Sequence, residues 1–194
     1  DPRTGGKVFL NGKPLNCRTP HDAIVNGVVM VPEDRKLQGI IPRMSVGRNI
    51  SIGSLDQITN RLGFVNTRRE QIGLEGKANF NIKTPDLEKP IVELSGGNQQ
   101  KAIVARWMST KPEVLILDEP TKGIDVGAKS EFYNMICEFA KEGLAVILIS
   151  SELPEVIGLS DRIIVMRGRR IVGEISAKDA TEEKLLSMAM MEET

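Results

Sequence analysis

One stretch, residues 94–125, constrains the fold of this chain more than any other. It reads LSGGNQQKAIVARWMSTKPEVLILDEPTKGID, a glycine-rich helix start followed by a short apolar strand that ends in two carboxylates. The apolar run at residues 114–117 is typical of a strand buried on both faces, and such strands belong to parallel sheets covered by helices. The stretch therefore predicts an α/β domain with a parallel-sheet core.

The helix start predicts a site for an anion. Ser95, Gly96 and Gly97 stand directly before a segment whose apolar residues recur at helical spacing. The first backbone N–H groups of a helix have no partners inside it, and the helix dipole adds partial positive charge there. The glycines lack the Cβ that would collide with a phosphate, and Ser95 can cap the helix or donate its hydroxyl to a phosphate oxygen. An ordinary capped helix is the alternative interpretation.

The strand end predicts a site for a divalent cation and a water molecule. Asp118 and Glu119 follow the apolar run directly, and Pro120 stops the strand. In an open parallel sheet, ligands gather at the carboxyl ends of the strands. One carboxylate can hold Mg²⁺ directly or through water, and its neighbour can orient or deprotonate an attacking water. For the pair taken alone, a solvated acidic turn is the alternative.

Together the two features resemble the ATP-binding cassette (ABC) family. The signature loop of that family is similar to residues 94–100, and its Walker B strand is similar to residues 114–118. The resemblance implies that Glu119 is the catalytic glutamate and that Asp125 is the aspartate of the D-loop. The signature residues that it assigns to ATP binding are Ser95, Gly96, Gly97, Asn98 and Gln99.

Two positions depart from the usual pattern of the family. Glu33 stands where most cassettes have a glutamine that senses Mg²⁺ and water, and a carboxylate can hold a metal ion but cannot donate an amide hydrogen bond. By resemblance, Asp118 and Glu33 are the metal-binding residues. Ser151 stands where the family has a switch histidine, and serine can contact a phosphate but lacks the charge and the reach of an imidazole.

The resemblance also implies how the chain is organised. Residues 1–194 form a single, incomplete nucleotide-binding domain, with antiparallel β hairpins and an inserted helical subdomain at about residues 45–109. Residues 33–52 lie where a cassette meets its membrane subunit, and a flexible surface loop is the alternative there. The sequence contains no G-x-x-x-x-G-K-[ST] phosphate loop, so we expect the first strand, that loop and its helix to lie upstream.

The finer resemblance is to the second cassette of tandem ATPase subunits for bacterial import of arabinose, xylose and ribose. It rests on PEDRK, LSGGNQQK and SSE, which replace the glutamine loop, LSGGQ and the histidine switch. It implies ATP and Mg²⁺ as cofactors and a peripheral position on the cytoplasmic face of the inner membrane. The implied partners are the first cassette or a second copy, the permease subunits and, indirectly, a periplasmic sugar-binding protein.

Composition argues against other classes of protein. Lysine plus arginine and aspartate plus glutamate number 26 each, so no basic field favours nucleic acid or an anionic membrane surface. The longest apolar run, residues 144–149, is too short to span a bilayer. Cys17 and Cys137 lack metal or redox spacing and are predicted to be free thiols.

Two alternatives stay open beside an ATPase of a sugar importer. The chain can be a non-hydrolytic cassette that only completes the ATP site of its partner. It can also belong to a soluble DNA-repair or ribosome-associated ATPase, but such proteins usually show coiled-coil arms or basic linkers, and the sequence has neither.

The remaining pattern predicts the elements around the site. Thr19 and Pro20 open a short helix that carries a surface residue, His21, and Thr67 with Glu70 forms a capping box for a helix toward residue 80. Apolar residues on the helix at about residues 128–142 are predicted to be core: Phe132, Met135, Ile136 and Phe139. The other predicted elements are hairpins at residues 7–15 and 162–175, strands at 28–31 and 144–149, and a helix at about 181–191.

Overall fold

The structure is a computed structural model that describes residues 5–60 and 64–190. Its strands are β1 (Phe9–Leu10), β2 (Lys13–Pro14), β3 (Val28–Val31), β4 (Val114–Asp118), β5 (Ala145–Ile149), β6 (Arg162–Arg167) and β7 (Arg170–Ser176). Its helices are α1 (Pro20–Val25), α2 (Val46–Ser51), α3 (Leu55–Ile58), α4 (Arg68–Asn79), α5 (Gly96–Met108), α6 (Val126–Lys141), α7 (Leu153–Leu159) and α8 (Glu182–Met190).

A parallel sheet with the strand order β3, β4, β5 forms the centre of the described chain. Val29 pairs with Leu115, and Leu115 pairs with Val146, so these three side chains share one face of the sheet. Val29 and Leu115 are buried there, and α5 and α6 supply the side chains that cover them. The predicted α/β domain with a parallel-sheet core is confirmed.

The opposite face of the same sheet is open. Met30, Ile147 and Ile149 are 44%, 50% and 46% exposed, and Ile116 is half-buried between them. The expectation that the β4 strand is buried on both faces is therefore wrong for the described part of the chain. The physical reason is that α5 and α6 both pack on the face of Val29 and Leu115.

Helix α6 places the predicted apolar residues in the core. Phe132, Ile136 and Phe139 are buried, and the partly buried Met135 packs against the same cluster. The helix ends before Gly143, whose φ of 93° lies in the left-handed region that favours glycine. The chain then turns directly into β5.

Helices α2, α4 and α5 pack against one another and form a helical layer beside the sheet. The glycines of α4, which lower its helix propensity, allow this close packing. A Cβ on Gly76 would lie 2.7 Å from Cγ2 of Ile50, and a Cβ on Gly73 would lie 3.3 Å from Cδ1 of Leu87. The glycines of α4 therefore leave room for Ile50 of α2 and for Leu87.

The predicted capping box at the start of α4 is wrong. Thr67 has helical backbone angles, with φ −63° and ψ −17°, and its side chain makes no capping hydrogen bond. A capping side chain needs an extended backbone at that position. The preceding Asn66 takes part of this role, because its Oδ1 accepts a hydrogen bond of 2.9 Å from the backbone N–H of Arg68.

Both antiparallel hairpins form as predicted. Strands β1 and β2 meet through a two-residue turn at Asn11 and Gly12, whose φ values are 49° and 74°. These are the left-handed conformations that an Asn-Gly turn provides. Strands β6 and β7 pair around Gly168 and Arg169, which also have positive φ, and α8 packs on β6.

The short helix α1 follows its sequence signals closely. Thr19 accepts a hydrogen bond from the N–H of Asp22, and the Asp22 side chain accepts one in return from the N–H of Thr19. His21 is exposed on this helix, and Cys17 and Cys137 are free thiols. None of the helices in the described ranges is both long enough and apolar enough to cross a bilayer.

The structure also contains elements that the sequence left irregular. Helix α3 lies in residues 54–66, α7 follows β5, and a single π-helical turn, Arg35–Gly39, follows β3. These elements are too short for a periodic pattern to reveal. Residues 61–63 and the expected end of the last helix at residue 191 lie outside the described residues.

Candidate functional site

The start of α5 presents an exposed hydroxyl. Ser95 precedes the helix with φ −59° and ψ 157°, and its side chain caps none of the helix N–H groups. Its Oγ instead accepts a 2.9 Å hydrogen bond from Nδ2 of Asn98, while Oδ1 of Asn98 accepts one of 2.7 Å from the N–H of Lys83. The interpretation of Ser95 as a side-chain cap is therefore wrong, and its hydroxyl lies at the surface.

Of the two glycines of this helix start, Gly96 packs against the loop that follows β4 and Gly97 against the start of α6. A Cβ on Gly97 would lie 2.8 Å from Cβ of Ala128, and a Cβ on Gly96 would lie 3.1 Å from the carbonyl oxygen of Gly123. The separation at Gly97 is too short for a Cβ, and that at Gly96 is tighter than most Cβ contacts. The sequence suggested only that these glycines admit a phosphate, whereas the structure shows that they also allow a close contact within the chain.

Gln99 is turned inward. Its side chain is buried, and its Nε2 donates a 3.0 Å hydrogen bond to the carbonyl oxygen of Leu94 and a longer one, 3.4 Å, to that of Ile91. These bonds hold the segment before α5 in place. A direct contact of Gln99 with nucleotide stays a prediction.

Arg35 is a site residue that sequence analysis missed. Its guanidinium lies against Gly96, and it donates hydrogen bonds of 3.4 Å to the carbonyl oxygens of Lys122 and Gly123. It thus links the turn after β3, the loop after β4 and the start of α5. No sequence pattern marks Arg35, because its partners are backbone atoms about 60 to 90 positions away along the chain.

Three carboxylates come together at the ends of β3 and β4. Burial raises the pKa of Asp118, and the negative charges of Glu33 and Glu119 raise it further. Glu119 has a positive φ of 45°, and its N–H donates a 2.8 Å hydrogen bond to the carbonyl oxygen of Ile149. A non-glycine residue in this conformation is uncommon and often marks a functional position. The fold thus brings Glu33 near Asp118 and Glu119, and metal binding by Asp118 and Glu33 stays a prediction.

Lys122 places a cation among these carboxylates. Its Nζ lies 2.6 Å from Oε1 of Glu33, and this hydrogen bond and charge raise the pKa of Lys122. The pair borders a cavity of about 210 Å³ that is also lined by Asp34, Arg35 and Lys36. Across residues 5–60 and 64–190, no three His, Cys, Asp or Glu side chains are arranged to hold a metal ion by themselves.

The two remaining predicted residues lie on neighbouring segments. Asp125 caps α6, since its Oδ1 accepts a 2.9 Å hydrogen bond from the N–H of Ala128. Ser151 is exposed on the turn between β5 and α7, two residues after the Ile149 that bonds Glu119. The turn is held by Glu152, whose carboxylate contacts Nζ of Lys129 at 2.6 Å and 2.8 Å.

Known sequences resemble this chain over nearly its whole length. A sequence model of the ABC transporter family matches residues 1–122. The arabinose import ATP-binding protein AraG of Mannheimia succiniciproducens is 53% identical over 194 residues, which cover 99% of this chain and 38% of that protein. AraG of Yersinia pestis is 51% identical over 189 residues, or 97% of this chain and 36% of that protein. The chain thus spans little more than a third of these relatives.

Solved structures of ATP-binding cassettes share the fold. A dimeric cassette in a post-hydrolysis state, bound to ADP and Pi, aligns with a TM-score of 0.75 and 17% identity over 91% of this chain and 75% of that chain. A cassette of an ABC transporter aligns with a TM-score of 0.78 and 19% identity over 95% and 77%. At these identities the alignments support the fold alone. With the family match over well more than half of its length, the chain belongs to the ABC transporter family.

Proposed function

We propose that this chain is part of an ATPase subunit that powers the import of a monosaccharide through an ABC transporter. The observation that carries the proposal is the contact of the α5 start with the loop after β4, in a chain 53% identical to an arabinose import ATP-binding protein. That contact sets a helix start suited to phosphate beside carboxylates suited to Mg²⁺ and water.

The residues then take the roles of an ABC cassette. Ser95, Gly96 and Gly97 close over ATP that is held by a partner cassette, with Asn98 and Gln99 supporting the loop. The exposed hydroxyl of Ser95 and the free N–H groups of the first helical turn support this assignment. Asp125 contributes to the same interface between cassettes, next to the glycine contacts.

The carboxylates act on the other ATP site. Glu119 orients and deprotonates the attacking water, and its backbone hydrogen bond to Ile149 fixes its position at the end of the sheet. Ser151 contacts a phosphate from the neighbouring turn. Serine carries no positive charge, so it stabilises the transferred phosphoryl group less than a histidinium does.

Asp118 and Glu33 fit a Mg²⁺ ion that shares its ligands with a nucleotide. In nucleotide sites Mg²⁺ usually binds one or two carboxylates together with phosphates and waters, so a complete cage of protein ligands is not required. Burial raises the pKa of Asp118, and repulsion from Glu33 and Glu119, which a bound cation would relieve, raises it further. Glu33 has to leave Lys122 to join such a site. When bound, Mg²⁺ neutralises charge on the phosphates.

A further segment of the full-length subunit supplies the phosphate loop. The open, apolar sheet face at Met30, Ile147 and Ile149 supports this part of the proposal, because exposed apolar faces of this kind mark contacts with other segments or proteins. The relatives are more than twice as long as the chain. They provide room for that segment and for a first cassette.

The partners follow from the same reasoning. We assign residues 33–52 to the contact with a membrane permease subunit, and this contact holds the subunit at the cytoplasmic face of the membrane. A periplasmic sugar-binding protein acts on the permease and reaches this chain only indirectly. The balanced charge of the chain supports protein partners rather than nucleic acid.

The two ATP sites of the pair are unequal in this proposal. Glu33 and Ser151 replace a glutamine and a histidine, and Lys122 neutralises Glu33, so the site that contains them hydrolyses ATP slowly. These replacements also favour the second candidate function, a non-hydrolytic cassette that only completes the site of its partner.

The test is ATP hydrolysis by the full-length subunit. Ser95→Arg is expected to abolish turnover at the first site, while Ser176→Arg, on an exposed serine at the end of β7, serves as the control. Unchanged activity of the Ser95 variant contradicts the proposal. Glu119→Gln is expected to have a small effect, and a loss of about 10²-fold or more, the size of a lost general base, contradicts a slow second site.

Nucleotide titration separates the two candidate functions. The phosphate loop of the first cassette is disabled, and ATP binding and turnover by the other site are measured in the same protein. Binding with slow turnover supports the ATPase. Binding without any turnover supports the non-hydrolytic cassette.

A further inference from the structure

Arg106 carries a buried positive charge on α5. It is 6% exposed, and burial lowers the pKa of its guanidinium to about 10, so it stays protonated at neutral pH. Among the described residues, its hydrogen-bond acceptors are all neutral oxygens. A buried charge without a counterion is costly, and it is retained only where its hydrogen bonds are numerous and well placed.

Three short hydrogen bonds fix this guanidinium. Nε donates to the carbonyl oxygen of Asn49 at 2.6 Å, Nη2 donates to Oδ1 of Asn49 at 2.9 Å, and Nη1 donates to the carbonyl oxygen of Gly39 at 2.7 Å. The acceptors come from two segments, the π-helical turn and α2. The planar fork of arginine presents several donors to both segments in one fixed geometry, which the single ammonium group of lysine does not provide.

Asn49 extends the network into the loop before α2. The residue is fully buried, and its Oδ1 also accepts a 2.8 Å hydrogen bond from the N–H of Ile41. Its Nδ2 donates to the carbonyl oxygens of Ile41, Met44 and Ser45 at 3.1, 3.2 and 3.0 Å. One amide thus holds the whole loop, and Arg106 holds that amide.

The π-helical turn is clamped to α5 at both of its ends. At its start, Arg35 lies against Gly96, the first residue of α5. At its end, Gly39 accepts the bond from Arg106 and packs so closely on Ile103 that a Cβ would lie 2.6 Å from Cδ1 of that side chain. The turn and the helix are therefore in contact along most of the length of α5.

We infer that Arg106 is a positioning residue: with Asn49 and the carbonyl of Gly39 it forms a buried latch that makes residues 39–49 and α5 move as one body. The latch rests on the proposed function and deepens it. In that proposal, residues 33–52 contact the permease and the start of α5 closes over ATP, so the latch connects the two. A displacement of one is then transmitted to the other through this network. In the described part of the chain, no other buried charged side chain joins residues 39–49 to α5.

The first test is hydrogen exchange of the nucleotide-free, full-length subunit. Arg106→Lys keeps the charge and removes the fork. Exchange of the amides at residues 39–45, above all Ile41, is expected to rise by about tenfold or more, while α5 stays protected. Arg48→Lys, on the exposed side of α2, is the matched control. Equal exchange of residues 39–45 in the wild type and the Arg106 variant overturns the latch.

The second test adds ATP and Mg²⁺ to the same proteins. In the wild type, protection is expected at residues 95–100 and, through the latch, at residues 39–45. In Arg106→Lys the protection at residues 95–100 is retained and that at residues 39–45 is lost. A purely structural role would lower protection at both places together. If Arg106→Lys retains the protection at both places, the inference is overturned.

A different outcome identifies failure of the proposed function. If ATP protects no residues of α5 in the wild type, the nucleotide role is wrong, while the nucleotide-free comparison still decides on the latch. Asn49→Ala guards against misfolding of a single variant, because it removes the other half of the network. It is expected to give the same exchange pattern, and a pattern limited to residue 49 itself contradicts the latch.

Discussion

Lys122 and Glu33 join the loop after β4 to the loop after β3, with 2.6 Å between Nζ and Oε1. The lysine also faces the negative charges of Glu119 and Asp34. A cation of the protein itself thus occupies the acidic end of the sheet. The loops after β3 and β4 are thereby linked without any ligand.

The first prediction concerns this pair. Lys122→Met leaves the carboxylates without their cation, so we expect a lower thermal unfolding midpoint at low ionic strength. The raised pKa of Lys122 means that its contribution is complete at pH 7 and is lost only as the pH rises through the lysine range. Differential scanning calorimetry of the full-length subunit at low salt and in 1 M NaCl measures the effect.

Lys141→Met is the matched control. Lys141 contacts Glu138 at the same distance, 2.6 Å, and is similarly exposed, but its charge faces only that one carboxylate. We expect a smaller change than for Lys122→Met. The Lys122 effect should shrink in high salt, because the Debye length falls from about 10 Å at 0.1 M to about 3 Å at 1 M. Equal changes for both variants at low salt contradict the prediction.

The second prediction concerns Asp118 and pH. An acid whose pKa is raised by folding makes the folded state less stable as the pH rises from the ordinary aspartate pKa of 3.8 through the raised value. Asp118→Asn removes this cost. In metal-free buffer we expect the variant to unfold at a higher temperature than the wild type at pH 7, with a gain that fades as the pH falls toward 4. If the gain in unfolding temperature does not change with pH, it does not come from removing the charge of Asp118, and the prediction is wrong.

The third prediction concerns the contact between the helix start and α6. Gly97→Ala places a Cβ about 2.8 Å from that of Ala128, and the overlap should destabilise the protein by about 1–3 kcal/mol. Ala128→Gly removes the obstacle at a cost of roughly 0.5–1 kcal/mol in helix stability. Denaturant unfolding of the single and double variants completes a double-mutant cycle. The double variant should be more stable than the sum of the single changes predicts, and strict additivity would refute the contact.

The fourth prediction compares two helical glycines. Gly76→Ala gains about 1 kcal/mol in helix propensity but drives a Cβ into the fully buried Ile50, so a net loss of about 1–2 kcal/mol is expected. Gly158→Ala in α7 meets no atom within 4 Å and should gain about 0.4–1 kcal/mol. Unfolding free energies measure both. Stabilisation by both substitutions would mean that α4 and α2 are not in close contact.

Much of the fold was predictable because its signals are local. An Asn-Gly pair makes a hairpin at residues 11 and 12, and Thr19 with Pro20 starts a helix, through interactions within a few residues. Apolar periodicity placed Phe132 and Ile136 in the core for the same reason. The capping box at Thr67 failed where a neighbouring residue, Asn66, offered an alternative bond that a spacing rule does not weigh.

The candidate site was predictable only as a set of residues. The run of two carboxylates and the glycine-rich helix start marked Asp118, Glu119, Ser95, Gly96 and Gly97. Arg35, Lys122 and Arg106 were missed, since each makes its contacts with residues far away in the chain. Such contacts leave no periodic or spaced pattern in the sequence.

The sequence by itself determined the α/β character of the chain, its hairpins and helices, and the identity of the residues that suit phosphate and Mg²⁺. Backbone preferences and apolar periodicity act over a few residues, so they can be read along the chain. Only the tertiary structure decided that Lys122 neutralises Glu33, that Gly97 of α5 packs against α6, and that Arg106 holds the loop before α2. These relationships depend on the parallel register of β3 and β4 and on helix packing, which bring distant segments to within hydrogen-bond distance.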